Sequence, residues 1–141
     1  NDRGQLGRGG CDEAVEAGQG HLPQRIAALS TSVVVNVSCG AFHCLAVTAD
    51  GMVFSWGWNK HGQLGRPTSC QADQEPFPIR EAKGASGPAR ALAAGLSHSA
   101  AVLASGQLLT WGSNEHWQLG VGHAVKHPEV ATTPVFVNSV V

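Results

Sequence analysis

The stretch Trp56-Gly57-Trp58-Asn59-Lys60-His61-Gly62-Gln63-Leu64-Gly65 decides the fold, because it returns as Trp111-Gly112-Ser113-Asn114-Glu115-His116-Trp117-Gln118-Leu119-Gly120. Its second half stands a third time at the start of the chain, as Asn1-Asp2-Arg3-Gly4-Gln5-Leu6-Gly7. The asparagines are 58 and 55 residues apart (59 − 1 and 114 − 59). The same 55-residue step relates Gly40 to Gly95, His43 to His98, Gly51 to Gly106 and Pro23 to Pro78. So many residues of unlike chemistry at one offset mark a structural repeat, and a repeat of this length means a solenoid, a propeller or an array.

Working outward from the Trp-Gly pair, each unit reads as strands. Residues 33–38 are β-branched and apolar, Gly40 interrupts them, and 43–48 continue with the two-residue alternation of a strand. Asp50-Gly51 then supplies a hairpin turn, because glycine tolerates the positive φ such turns require, and 52–56 form the return strand. The second unit repeats this with 91–94, 98–103, the turn Ser105-Gly106, and 108–111. A fourth strand is expected after the proline of each unit, at 24–29, 79–81 and 135–137, since proline at a strand's first position costs no ladder hydrogen bond. No 3.6-residue periodicity survives between the glycines, which excludes helical repeats. Four strands in every ~50 residues is the pattern of β-propeller blades. The expected fold is all-β, with repeat units at 23–77 and 78–133 flanked by partial repeats at 1–22 and 134–141.

Composition agrees. Of 141 residues 13% are charged, 43% are hydrophobic and 18 are glycine. Ordinary domains carry about 25% charged residues and about 7% glycine. This is the economy of short buried segments joined by tight turns, and it excludes disorder. Nine Lys+Arg against ten Asp+Glu leave a net charge of -1, so no basic excess exists to neutralise a phosphate backbone. No direct nucleic-acid contact is expected from this segment. Nor is membrane insertion, since the apolar run Val33-Val34-Val35 ends at Asn36, far short of the ~18 residues a span needs. The only methionine is Met52 and no leader pattern opens the chain, so a portion of a longer protein is expected. Cys11, Cys39, Cys44 and Cys70 contain no Cys-x2-Cys pair. Free thiols in a reducing compartment, cytoplasmic or nuclear, are therefore expected, with no metal and no cofactor. The sequon Asn36-Val37-Ser38 falls in a strand expected to be buried, and is read as chance.

The residues Cys39-Gly40-x2-His43, Asp50-Gly51 and Trp56-Gly57-x-Asn59-x2-Gly62-Gln63-Leu64-Gly65 resemble the repeat of the regulator of chromosome condensation family. The resemblance covers essentially the whole chain. It implies a β-propeller, seven-bladed in that family, of which this chain holds about two and a half repeats. It also implies two functions. One is a protein-interaction scaffold that docks a partner through its rim loops. The other is a guanine-nucleotide exchange factor for a Ran-type small GTPase.

The repeated residues have structural explanations. Trp56 and Trp111 are assigned to the blade cores, and His43 and His98 to hydrogen bonds that pack the blades. Nothing assembles a catalytic constellation: no Gly-x-Ser-x-Gly elbow occurs, and Gly7-Arg8-Gly9-Gly10 lacks the preceding strand and the following Lys-Ser/Thr of a phosphate loop. Function is expected where the repeats differ, in the segments 8–22, 66–77 and 121–133 that superposed repeats deliver to one rim. Two tryptophans break the repeat: Trp58 aligns with Ser113, and Trp117 replaces Gly4 and Gly62. With His123, Lys126 and His127 they form the candidate partner-binding set. If Gly4 and Gly62 use positive φ, Trp117 either takes that conformation at a steric cost or sits in a locally altered turn, and in both cases its ring is expected to project outward over the rim, near Trp58 or the 123–127 segment.

Overall fold

The computed structural model describes residues 1–9, 23–68, 71–79, 87–122 and 130–137. Two four-stranded antiparallel meanders make up the chain. The first holds β1 (Val34–Cys39), β2 (His43–Thr48), β3 (Val53–Trp58) and β4 (Ala72–Pro78) in that order; the second holds β5 (Ala89–Ala94), β6 (His98–Leu103), β7 (Leu108–Ser113) and β8 (Val130–Phe136). These are β-propeller blades. Even their irregularities repeat at the 55-residue step: one bulge lies between Val34 and Asn36 and again between Ala89 and Ala91. Another lies between Ser55 and Gly57 and again between Thr110 and Gly112. A bulge twists and bends its strand, so a shared bulge pattern gives both sheets the same curvature.

Both hairpin turns form where expected. Gly51 and Gly106 each take φ 83, the left-handed conformation that an L side chain resists. Outside the sheets, the described residues hold a three-residue 3-10 turn, Ala27–Leu29.

The fourth strands differ from the expectation. β4 and β8 run into or through their prolines rather than starting after them. Of the 24–29 stretch, 24–26 form no regular element and Ala27–Leu29 make the 3-10 turn, Ile79 lies just past β4, and residues 80–81 lie outside the described residues. Segments 66–77 and 121–133, read as connectors, therefore surrender part of their length to strands. The physical reason is position: β4 pairs with β3 alone and lies at the blade's outer edge. Its sequence Ala-Asp-Gln-Glu-Pro-Phe-Pro accordingly lacks apolar alternation and tolerates Pro76.

The core lies between the blades. β1 and β2 of the first sheet pack on β5 of the second, burying Leu45, Val47, Ala89, Ala101, Leu103, Leu109 and Trp111 in one cluster. Every residue of β2 is buried, because a blade covers one face, while Gln5 of the connector 1–9 meets Cys44 on the other and Ile26 and Leu29 pack against the cluster of Cys44, Ala46 and Trp56 there. Equivalent residues show what the neighbouring blade contributes. Val47, beneath the second blade, is fully buried, whereas its counterpart Val102 is 38% exposed. Val37 is 61% exposed, whereas its counterpart Leu92 packs against the core. The same edge exposes Asn36, so the reason given above for dismissing the sequon, burial, does not hold in this chain.

Candidate functional site, a rim cluster around Trp58

A connector stitches each blade to the next, and its atoms explain the repeated residues. Leu64 lies with its own blade, its carbonyl accepting from Ser55 Oγ at 2.8 Å. The adjacent Gln63 carbonyl turns to the second blade and accepts from Trp111 Nε1 and from Ser99 Oγ, both at 2.9 Å. In the first blade Trp56 Nε1 donates to the Gln5 carbonyl at 2.9 Å, and Cys44 Sγ, standing where Ser99 stands, donates to it at 3.3 Å. Trp56 and Trp111 are thus equivalent anchors, 4% and 1% exposed.

His43 is fully buried and completes the stitch, its Nε2 lying 2.9 Å from Ser99 Oγ. Since Ser99 Oγ donates to the Gln63 carbonyl, His43 Nε2 must carry the proton. Burial, helped by the neighbouring His98, lowers the His43 pKa to about 4, so the ring is neutral at physiological pH. His98 sits equivalently beneath Gly95, but its ring makes no such bond among the described residues. Among the described residues, the histidine bond expected in both repeats forms at His43 and not at His98.

With the repeated residues occupied in this way, what remains is a cluster on the rim. Trp58 ends β3, and its amide donates to the Phe42 carbonyl at 2.8 Å. Phe42 and His61 meet its ring edge-on, with centroids 5.6 and 5.3 Å away. Two cations lie over the indole: the Arg3 guanidinium at 5.3 Å and the Lys60 ammonium at 6.0 Å. Arg3, Lys60 and Phe42 are exposed. The Trp58 Nε1 donor is buried and has no hydrogen-bond partner among the described residues. Arg66, by contrast, is committed internally. Its guanidinium meets the Asp73 carboxylate at 2.6 Å, bonds the Ser55 carbonyl, and covers the Phe77 ring.

Trp117 is 53% exposed, the outward indole that the alignment predicts, and of the two alternatives for its backbone it takes positive φ, 60, rather than an altered turn. The structure shows why its counterparts are glycine. A Cβ on Gly62 would lie 2.7 Å from Val130 Cγ1 and 3.0 Å from the Thr132 Cα, and one on Gly4 would lie 2.7 Å from the Gln74 Cα. In those repeats the turn abuts the outer strand of the following sheet; Trp117 follows the second sheet instead. Trp117 lies in the segment after β7, whereas Trp58 ends β3, and among the described residues the ring contacts of Trp58 are Phe42, His61, Arg3 and Lys60. His123, Lys126 and His127 lie outside the described residues. Sequence reasoning missed Arg3, Lys60 and Phe42. The signal that singles out Trp58 was present for all three: Phe42 aligns with Ser97, Lys60 with Glu115, and Arg3 with His61 and His116.

These features define a class of protein, a blade-repeat propeller whose repeated residues build the scaffold and whose variable residues line its rim. The chain belongs to the regulator of chromosome condensation (RCC1) repeat family, whose models match residues 1–47, 50–102 and 105–141, and more narrowly 34–63 and 89–118. Human HERC3, a probable E3 ubiquitin-protein ligase, is 41% identical over 100 residues, which cover 71% of this chain and 9% of HERC3. The Arabidopsis thaliana mitochondrial RCC1 domain-containing protein RUG3 is 36% identical over 140 residues, covering 96% of this chain and 30% of RUG3. Among solved structures, yeast RCC1 (Prp20) bound to Kap60 superposes with a TM-score of 0.74 at 20% identity, over 99% of this chain and 32% of Prp20. The chain thus spans under a third of the length of each of these proteins.

Proposed function

We infer that the protein is an interaction scaffold that docks an acidic segment of a protein partner on the rim around Trp58. The observation that carries this reading is the pairing of two exposed cations, Arg3 and Lys60, over one indole that the repeat does not require. Tryptophan and arginine are the residues that most often dominate binding energy at protein interfaces. A carboxylate arriving there meets both cations and can draw out the unpaired indole N–H, a buried donor whose isolation costs about 1–3 kcal/mol. The scaffold is read as working in a reducing compartment, cytoplasmic or nuclear. The test is fluorescence anisotropy with labelled peptides of equal length, rich in Glu, in Gln or in Lys. Tight binding of the Glu peptide alone, lost in Trp58→Ala and in the Arg3→Glu/Lys60→Glu pair with the fold intact, supports the reading. Indifference to peptide charge refutes it.

A narrower reading is guanine-nucleotide exchange on a Ran-type small GTPase. It is favoured by the likeness to Saccharomyces cerevisiae Prp20p, whose structure was described with its binding properties to Gsp1p and histones. Release of a fluorescent nucleotide from a Ran-type GTPase, accelerated by this protein and unchanged by the Arg3/Lys60 charge reversal, places exchange at a surface other than the Trp58 rim.

A further inference from the structure

Cys39 and Cys44 face each other across the first hairpin. The Gly40 amide donates to the His43 carbonyl at 2.8 Å and closes the two-residue turn, so the next pair outward, Cys39 with Cys44, is a directly opposed pair without ladder hydrogen bonds between its members. Such pairs bring Cα atoms to about 4.5 Å, inside the ~4.4–6.8 Å range of disulfides. Both thiols are free, and their sulfurs lie 3.5 Å apart. Cys39 is exposed and Cys44 is 9% exposed. The fold does not call for sulfur at either place, since the second blade builds the same hairpin with Ala94 and Ser99. Ala94 also shows that the position stays reachable: with a blade packed beside it, it is still partly exposed.

We propose that Cys39 and Cys44 form a hydroperoxide-sensitive dithiol, whose oxidation to a disulfide loosens the connector 1–9 from the first blade. The exposed Cys39 thiolate attacks a peroxide oxygen. The O–O bond breaks, the leaving oxygen takes up a proton as water or an alcohol, and Cys39 becomes a sulfenic acid. Cys44 then attacks that sulfur, its proton leaves with the hydroxyl as water, and the S–S bond closes. The peroxide gains the two electrons the thiols lose. The sulfurs must approach by roughly 1.5 Å to reach bonding distance, a movement that side-chain rotation supplies. The connector responds because Cys44 Sγ–H is one of the two donors that hold the Gln5 carbonyl. After oxidation that carbonyl keeps Trp56 Nε1 alone.

The test treats the whole reduced chain with graded hydrogen peroxide, blocks remaining thiols with N-ethylmaleimide, and maps tryptic peptides by mass. Residues 26–60 form one tryptic peptide that carries Cys39 and Cys44 and neither Cys11 nor Cys70. The expected product is that peptide unblocked and lighter by two hydrogen atoms. Cys44→Ser is expected to leave a sulfenic acid on Cys39 that dimedone traps, and Cys39→Ala to leave Cys44 unoxidised. Amide exchange at Gly9, which donates to the Gln74 carbonyl, reads the connector, and oxidation is expected to speed it about fivefold, the equivalent of one lost hydrogen bond. A peptide that stays doubly blocked, or a Cys39 that proceeds to sulfinic acid with Cys44 still free, overturns the dithiol. A disulfide that forms without changing Gly9 exchange overturns the coupling to the connector.

Discussion

Alanine substitution of the two hairpin glycines tests the blade interface with an internal control. Gly51 and Gly106 occupy the same turn of successive repeats and share φ 83. An alanine at either therefore meets the same backbone strain, about 1–2 kcal/mol, offset by the ~0.4–1 kcal/mol that alanine recovers through the unfolded chain. Their surroundings differ. A Cβ at 106 meets nothing within 4 Å among the described residues, whereas one at 51 would lie 1.9 Å from Pro88 Cβ and 2.5 Å from Pro88 Cα. Ordinary contact begins at 3.4 Å, so the overlap is roughly 1.5 Å, and a pyrrolidine ring cannot swing aside. The second blade must retreat, and the Ala89 amide then loses its 3.0 Å bond to the Gly51 carbonyl. Overpacking costs about 1–3 kcal/mol and the hydrogen bond about 1 kcal/mol. Gly106→Ala is thus expected to cost about 1 kcal/mol in this chain and Gly51→Ala about 3–5 kcal/mol. Urea denaturation followed by far-ultraviolet circular dichroism and by the fluorescence of the buried Trp56 and Trp111 measures both. Equal costs at the two positions would show that the second blade does not rest on Gly51, and would refute the packing described above.

Trp111→Ala is expected to cost about 3–5 kcal/mol and Trp111→Phe only about 1–2 kcal/mol, because the Gln63 carbonyl keeps its Ser99 donor; a phenylalanine as damaging as alanine, by the same denaturation assay, refutes the anchor. Stability is expected to fall in acid through His43. The unfolded ring binds a proton below about pH 6.5, and the native one only near about 4, so between these values the unfolded state holds more protons and gains by about 3 kcal/mol as the pH drops. Denaturation midpoints from pH 7 to 4 check this, and His43→Gln is expected to remove that part of the slope. Trp117→Gly is expected to leave stability within about 1 kcal/mol, since relief of positive φ is offset by glycine's freedom when unfolded. A large loss in its thermal denaturation would assign the ring to packing.

Much of the fold was legible because a repeat is a local property written twice. β2 and β6 match their expected ranges, and the hairpin turns fall on Asp50-Gly51 and Ser105-Gly106, since alternation and positive φ are decided within a few residues of chain. β4 and β8 were misplaced for the opposite reason. An outer strand with one neighbour is held by backbone bonds to β3 or β7 and needs no apolar code of its own. The rim was half legible. Trp58 and Trp117 stand out against the repeat, but the residues that surround Trp58, namely Arg3, Phe42, Lys60 and His61, come from three separate parts of the chain.

The sequence by itself determined the blade, its turns, and which tryptophans and histidines repeat, because each follows from spacing and residue type along the chain. Only the tertiary structure decided that Arg3, distant in sequence, lies with Lys60 over Trp58, and that His43 reaches Ser99 in the next blade, 56 residues on. It alone showed that the Gln5 carbonyl collects Cys44 and Trp56. Those contacts cross from one sheet or connector to another. They depend on how twisted sheets stack and where a connector crosses between them, and a side chain's own neighbourhood in sequence carries no record of that.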